Sequence, residues 1–333
     1  MKSFTPSTIR PLRSSLLLGC LLFGGCSGKL IPRQPLTAME TPYYWNDDLR
    51  PRTIIAIGDL QPTTWVEVKF LGRPQNDSVR SHMIDAVVEN RPDMLLLLGD
   101  QVGEGEREED WLRFDQLMMP VCREKIPIYA VVGNHDYGLL GVKGIRHFQA
   151  RFPYSNVLPR LVWLADSVAM VVMDSNLGSL PKEEVDNQLN RYKKILKMLD
   201  NHPSVRGVIV TMHHPPFSNA TLSIDSRVHD LFVPPFVEAK KTMLLITGHV
   251  HSYERFQIDG KAFVVSGGGG GPRRRVDTSQ ERSVKSDQIT FGEFRPYHYV
   301  QMQIDPEGIN CEMMMLDSGK FSRGDQFLLK FPH

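Results

Sequence analysis

Five short segments between Gly58 and His251 carry the side chains that could do chemistry. They are Gly58-Asp59-Leu60-Gln61, Gly99-Asp100-Gln101-Val102-Gly103, Gly133-Asn134-His135-Asp136, His213-His214-Pro215-Pro216 and Gly248-His249-Val250-His251. Taken singly they are weak signals. Gly-Asp is a common turn pair, and a His before two prolines fits a strand end that proline stops. Taken together they offer carboxylates, an amide and imidazoles, each opening a loop after a short apolar run. Oxygen donors mixed with imidazoles suit Mn, Fe, Zn or Co, whereas sulfur-only sites would indicate structural zinc.

The elements that must position these groups follow from the apolar pattern. Thr53 to Ile57, Met94 to Leu98 and Ile128 to Val132 read as buried strands. Between them, 77–90 and 107–119 place apolar residues at helical spacing. This β-α-β-α-β order favours parallel pairing with right-handed crossovers. A short helix is expected around 144–150, and an antiparallel pair at 161–164 and 168–173, ending at Asp174-Ser175-Asn176. A long helix follows at 183–199. Strands at 208–211 and 243–246 deliver His213 and His249; strands at 252–258 and 262–266 come next. A hairpin at 297–304 and 309–316 closes the chain around Asp305-Pro306-Glu307-Gly308. Consecutive late strands suit a second sheet packed on the first. The expected fold class is α/β: two packed mixed sheets flanked by helices. In such sheets ligands collect outside the carboxyl ends of the strands, which brings the five segments to one rim.

The set resembles the calcineurin-like metallophosphoesterases, across roughly residues 53 to 267. The run Gly248-His249-Val250-His251-Ser252-Tyr253-Glu254-Arg255 is similar to the matching stretch of purple acid phosphatases. The resemblance implies a dinuclear site of two divalent ions (Mn, Fe, Zn or Mg). Asp59 and His251 would hold the first metal, Asp100 would bridge both, and Asn134, His213 and His249 would hold the second. His135 matches the family's catalytic histidine, and Asp136 would orient it. Asp59-Leu60-Gln61 stands where the family usually carries Asp-x-His, so Gln61 would coordinate through its amide oxygen, a hard neutral donor. Gly103 stands where purple acid phosphatases carry Tyr, which removes the reason to expect a purple iron centre. His214 is read as a wall residue without a role.

The remainder bounds the setting. In 333 residues, 39 basic side chains face 38 acidic ones, so charge gives no argument for nucleic acid. Residues 1–26 carry Lys2, Arg10 and Arg13, then an apolar run from Leu16 to Phe23, far too short to span a bilayer. This reads as a secretory signal. Phe23-Gly24-Gly25-Cys26-Ser27 resembles a bacterial lipoprotein signal, which would lipidate Cys26 and tether the protein to the cell envelope, facing the periplasm or exterior. The alternative is a plain signal peptide or a single anchor. Residues 27–50 read as a tether and 51–333 as the catalytic domain. Cys122 and Cys311 read as two buried thiols, with a disulfide as the alternative. Gly267 to Gly271, then Pro272 and Arg273-Arg274-Arg275, open a polar stretch reaching about Gln288. It is either a mobile surface loop or a basic lid for a phosphorylated substrate.

The function expected from this set is hydrolysis of phosphate mono- or diesters of a small molecule by two-metal activation of water. The alternative is a non-catalytic metal- or phosphate-binding lipoprotein that kept the fold.

Overall fold

The computed structural model describes residues 43–138, 142–222, 224–289 and 291–332. The signal segment, Cys26 and most of the expected tether lie outside them. The last part of that tether does not behave as one. Tyr43 is buried, its hydroxyl donates to Asp115 at 2.6 Å, and its ring stacks on Phe152. The Tyr44 carbonyl accepts from the Ile128 N–H at 2.9 Å. The described part of the folded domain therefore begins eight residues before the expected boundary, because the rings of Tyr43 and Trp45 find aromatic partners.

Twelve strands form two six-stranded sheets. In the first, β1 (Thr53–Ile57), β2 (Met94–Leu97) and β3 (Ile128–Ala130) run parallel. Antiparallel β10 (His298–Asp305), β11 (Gly308–Asp317) and β12 (Lys320–Lys330) extend it from the β1 edge. The second holds β4 (Arg160–Leu164), β5 (Val168–Val172), β6 (Gly207–Thr211), β7 (Thr242–Thr247), β9 (Lys261–Ser266) and β8 (Tyr253–Ile258), in that spatial order. Strands β5, β6, β7 and β9 are mutually parallel.

The period of two along each strand decides the layers. Ile54, Ala56, Met94 and Leu96 face Val168, Met170, Ile209 and Leu244 between the sheets. Their neighbours Ile55, Ile57, Leu95 and Leu97 face outward onto α2 (Asp77–Asn90) and α3 (Glu108–Arg123). On the other sheet Val171, Val208, Val210 and Leu245 meet α6 (Lys182–Asn201) and α7 (Ser226–Glu238). Strands apolar on both faces belong inside such a four-layer stack. The two sheets with flanking helices match the expected class.

Four elements went unread in the sequence. Helix α1 (Trp65–Leu71) opens with a reciprocal Thr64–Glu67 capping box. Helix α4 (Asn134–Tyr137) is a single turn, and α7 carries Pro234 and Pro235 inside it. Edge strand β12 mixes Lys, Arg, Asp and Gly324 among its apolar residues, as edge strands do. Helix α5 (Val142–Arg151) lies near its expected place.

Candidate metal centre

The parallel strands of both sheets end on one rim, and their next residues carry the expected side chains. Asp59 follows β1, Asp100 follows β2, and Asn134 and His135 start the turn after β3. His213 follows β6, and His249 and His251 follow β7. Asp59, Asp100, His249 and His251 all sit at positive φ, from 39° to 72°. A non-glycine residue there costs of order 1–3 kcal/mol and persists only where the surroundings hold it. The surroundings are visible. Asp59 N–H donates to the Gly99 carbonyl at 3.0 Å, and the Asp59 carboxylate accepts from His249 N–H at 2.9 and 3.1 Å.

Two clusters result. Ligand atoms of Asp59, Asp100 and His251 lie within 4.8 Å of one another, as do ring nitrogens of His213, His214 and His249. Around His213 Nε2 the donors crowd: Asp100 Oδ2 and Asn134 Oδ1 each at 3.2 Å, and His249 Nδ1 at 3.3 Å. His251 Nε2 lies 3.3 Å from Asp59 Oδ1. Bonds of about 2.1 Å to one ion separate its ligand atoms by roughly 3 Å. The spacing here is of that kind.

Proton positions agree with ligation. His213 Nδ1–H donates to the Leu98 carbonyl at 2.8 Å, and His251 Nδ1–H donates to the Pro272 carbonyl at 2.9 Å. A bound ion would then meet the lone pair of each Nε2, the arrangement that orients metal-binding histidines. Burial pulls the His213 pKa down, but the Asp100 carboxylate more than offsets it and holds the group at about 9 without a cation. Burial, then the neighbouring His213, drive His249 down to about 2. Asp100 is held far below the carboxylate range: burial opposes ionisation, and His213, His135 and His249 outweigh it.

Gln61 is buried, and among the described residues its Oε1 meets no hydrogen-bond donor. A dry acceptor costs about 1–3 kcal/mol, and a cation is a partner that would satisfy it. The donor set, the lone pairs left by Leu98 and Pro272, and this orphaned amide together fit divalent ions.

His135 N–H donates to Asp100 Oδ1 at 2.8 Å, while its ring Nδ1–H donates to the Gly103 carbonyl at 2.7 Å. Its Nε2 is therefore the exchangeable position. Asp136 departs from the expected role. Its carboxylate accepts from the backbone N–H groups of Gly133, Asp100, Gln101 and Val102, at 2.8 to 3.4 Å. It pins the loops after β2 and β3 together, and Gly103 is what orients His135. Burial, then the Asp100 charge, push Asp136 up to about 8.

A sixth strand end was underread. Asp174-Ser175-Asn176 after β5 joins the rim: Asp174 accepts from the Tyr137 hydroxyl at 2.6 Å, and Ser175 meets His214. The polar triplet after an apolar strand was the available signal. The glycine run is not a surface loop. Gly267 to Gly271 is buried beneath the site, where Gly269 N–H and Gly271 N–H donate to the carbonyls of Gly58 and Asp59 at 2.8 Å. A Cβ on Gly267 would stand 2.7 Å from Asp59 Oδ2, and one on Gly271 would stand 2.6 Å from His251 Cε1. Of the arginines that follow, Arg273 lies over the Tyr297 ring and Arg275 pairs with Glu293 at 2.7 Å, while Arg274 Nε is buried without a hydrogen-bond partner among the described residues. Cys122 and Cys311 are both free thiols.

The calcineurin-like phosphoesterase family model matches residues 52–253. Among curated proteins none matches the chain. Several solved structures share the fold. GAP50, the anchor in the inner membrane complex of Plasmodium, superposes with a TM-score of 0.64 at 14% identity, over 86% of this chain and 90% of that one. The purple acid phosphatase PPD1 from yellow lupin seeds gives 0.61 at 16% identity, over 86% of this chain. This chain spans 55% of the lupin enzyme. A dimetal phosphatase from Danio rerio gives 0.54 at 14%, over 84% and 99%. The family model covers well over half the sequence and takes in all five segments from Gly58 to His251, so the chain belongs to the calcineurin-like phosphoesterase family.

Proposed function

We propose that the protein is a metal-dependent hydrolase of phosphate mono- or diesters. The observation that carries this reading is the convergence of Asp100, Asn134 and His249 on His213 Nε2, with the His135 backbone N–H on Asp100 Oδ1 and its ring tethered to the Gly103 carbonyl. Asp59, Gln61, Asp100 and His251 would hold one ion, and Asp100, Asn134, His213 and His249 the other. Two ions there would clamp the phosphoryl group and acidify a water. His135 uses Nδ1 on Gly103, so only Nε2 can carry a proton to the leaving oxygen or donate to the phosphoryl group. Asp136 keeps the two loops in register, so that Asp100 and His135 stay in one frame. Beside Asp174 and Tyr137 opens a cleft of about 360 Å³, with Glu184, Asn187 and Arg191 of α6 facing Ile145 and Phe148 of α5. That polar wall against an apolar one suits a leaving group with one flat apolar face and a hydrogen-bonding edge.

The test is turnover of mono- and bis-nitrophenyl phosphate by the purified protein with Mn, Zn or Mg added singly. Metal-dependent release of nitrophenol that His135→Ala abolishes, with metal content retained, is the expected result. A fully loaded protein that turns over neither ester defeats it. The second reading, a binding protein without turnover, draws on Gln61 and on the likeness to GAP50, an anchor; that outcome would favour it.

A further inference from the structure

His213, His214 and His249 look like a three-histidine metal site by distance alone, with ring nitrogens within 4.8 Å of one another. The hydrogen bonds separate the His214 ring from that of His213. His214 backbone N–H, which can only donate, donates to Ser175 Oγ at 2.8 Å. The hydroxyl has one proton of its own, and His214 Nδ1 stands 2.9 Å away to accept it. With Nδ1 accepting, the neutral ring carries its proton on Nε2. His213 and His251 are the reverse case. Their Nδ1 atoms face carbonyls, which can only accept, so a proton sits on Nδ1 and Nε2 is the nitrogen left for an ion. The opposite tautomer of His214 would deprive the Ser175 proton of this acceptor, and Ser175 is only 2% exposed, where a lost partner is costly.

We infer that His214 is a neutral N–H donor to a phosphoryl oxygen at the mouth of the metal centre, not a third imidazole on the second ion, and that Ser175 sets its tautomer. The inference rests on the phosphoesterase reading for the identity of the bound group. The ring is placed for the task. Its centroid lies 4.3 Å from that of His249 and 4.9 Å from that of His213, and it is partly exposed where His213 is buried. Nε2–H is the ring's remaining polar atom. Asp59, Gln61, Asp100, Asn134, His213, His249 and His251 already supply the donors two ions need, whereas the anionic oxygens of a phosphate need donors. Hydrogen bonds of this charge-assisted kind are the strong ones.

The experiment is calorimetric titration of the Mn-loaded protein with inorganic phosphate, beside elemental analysis of bound metal. His214→Ala should weaken phosphate about tenfold or more while metal content stays at the wild-type level. His214→Gln, which keeps an N–H donor of similar reach, should recover part of that loss. Ser175→Ala should weaken phosphate in the same direction. Nitrogen-15 NMR of the metal-free wild type should find the His214 proton on Nε2, a result that needs no variant to fold. Loss of metal in His214→Ala, unchanged phosphate affinity, absence of phosphate binding by the loaded wild type, or a proton on Nδ1 would each overturn the assignment. Phosphate binding without turnover of any ester would sink the hydrolase reading and leave this donor in place. Turnover with a His214 that ligates metal would do the opposite.

Discussion

An imidazole acts as ligand, acid or donor according to what its other nitrogen touches, and the backbone decides that here. The residue types of the site were legible because Asp, Asn and His stand after apolar runs. Their partners were not, since the carbonyls of Leu98, Gly103 and Pro272 leave no mark in a sequence. Asp136 shows the same limit: its place beside His135 suggested an orienting carboxylate, yet its oxygens face four backbone N–H groups. Gln61 is the residue to vary first. Its Oε1 meets no donor among the described residues, so Gln61→Ala should lower the occupancy of the first ion, and Gln61→His should raise it and shift preference toward Zn. Metal stoichiometry after dialysis decides it; unchanged occupancy in Gln61→Ala makes the residue a bystander. His298 offers a pH test away from the ligands. It is fully buried, donating from Nδ1 to the Pro296 carbonyl at 2.9 Å and accepting at Nε2 from Ser266 Oγ at 3.1 Å. Burial pulls its pKa down to about 4. The unfolded ring titrates near 6.5, so its contribution to stability is complete above about 6.5 and is lost as pH falls toward 4. Thermal melts in chelator should show His298→Gln flattening the stability slope in that window. A slope equal to wild type would remove His298 from the account.

At the scale of elements, β1 to β3, their crossover helices, the strands of the second sheet and the β10–β11 hairpin were readable from period-two and helical patterns, though that hairpin joins the first sheet beside β1. The misses have separate causes. Pro234-Pro235 hid α7, the charges of β12 hid an edge strand, and α1 was passed over although Thr64 and Glu67 carry its capping signature. The glycine run was misread for a physical reason too. Five glycines resemble a flexible linker in composition, but here they let backbone pass where side chains cannot. Gly271→Ala should therefore displace the His251 ring and cost the first ion while leaving the second. Binding of one metal equivalent in place of two is the expected titration. Two retained equivalents would show that the run has slack.

At the scale of the whole molecule, no helix of the described residues is long and apolar enough to cross a membrane. The lipid anchor proposed from the sequence is Cys26, which lies outside the described residues. Cys26→Ala should leave the protein unprocessed or move it to the soluble fraction; a wild-type protein already free in that fraction rules the anchor out. The ligands also divide between the layers. Asp59, Asp100 and Asn134 follow strands of one sheet, and His213, His249 and His251 follow strands of the other. An ion shared by Asp100 and His213 would thus be a rivet through the sandwich, added at one end to the apolar core and to cross-sheet bonds such as His213 to the Leu98 carbonyl and Arg255 to Asp325. Ligand at a hundredfold excess over Kd adds about 2.7 kcal/mol to folding. For a domain of this size that is a rise of several degrees in Tm, so chelation should lower the melting point by that much and Mn should restore it. Equal melting points with and without metal would mean no rivet. On the proposed hydrolase reading the same division makes catalysis and cohesion one measurement: any motion that slides the sheets apart at the rim would pull the ions' cage open first, and turnover would cease before unfolding.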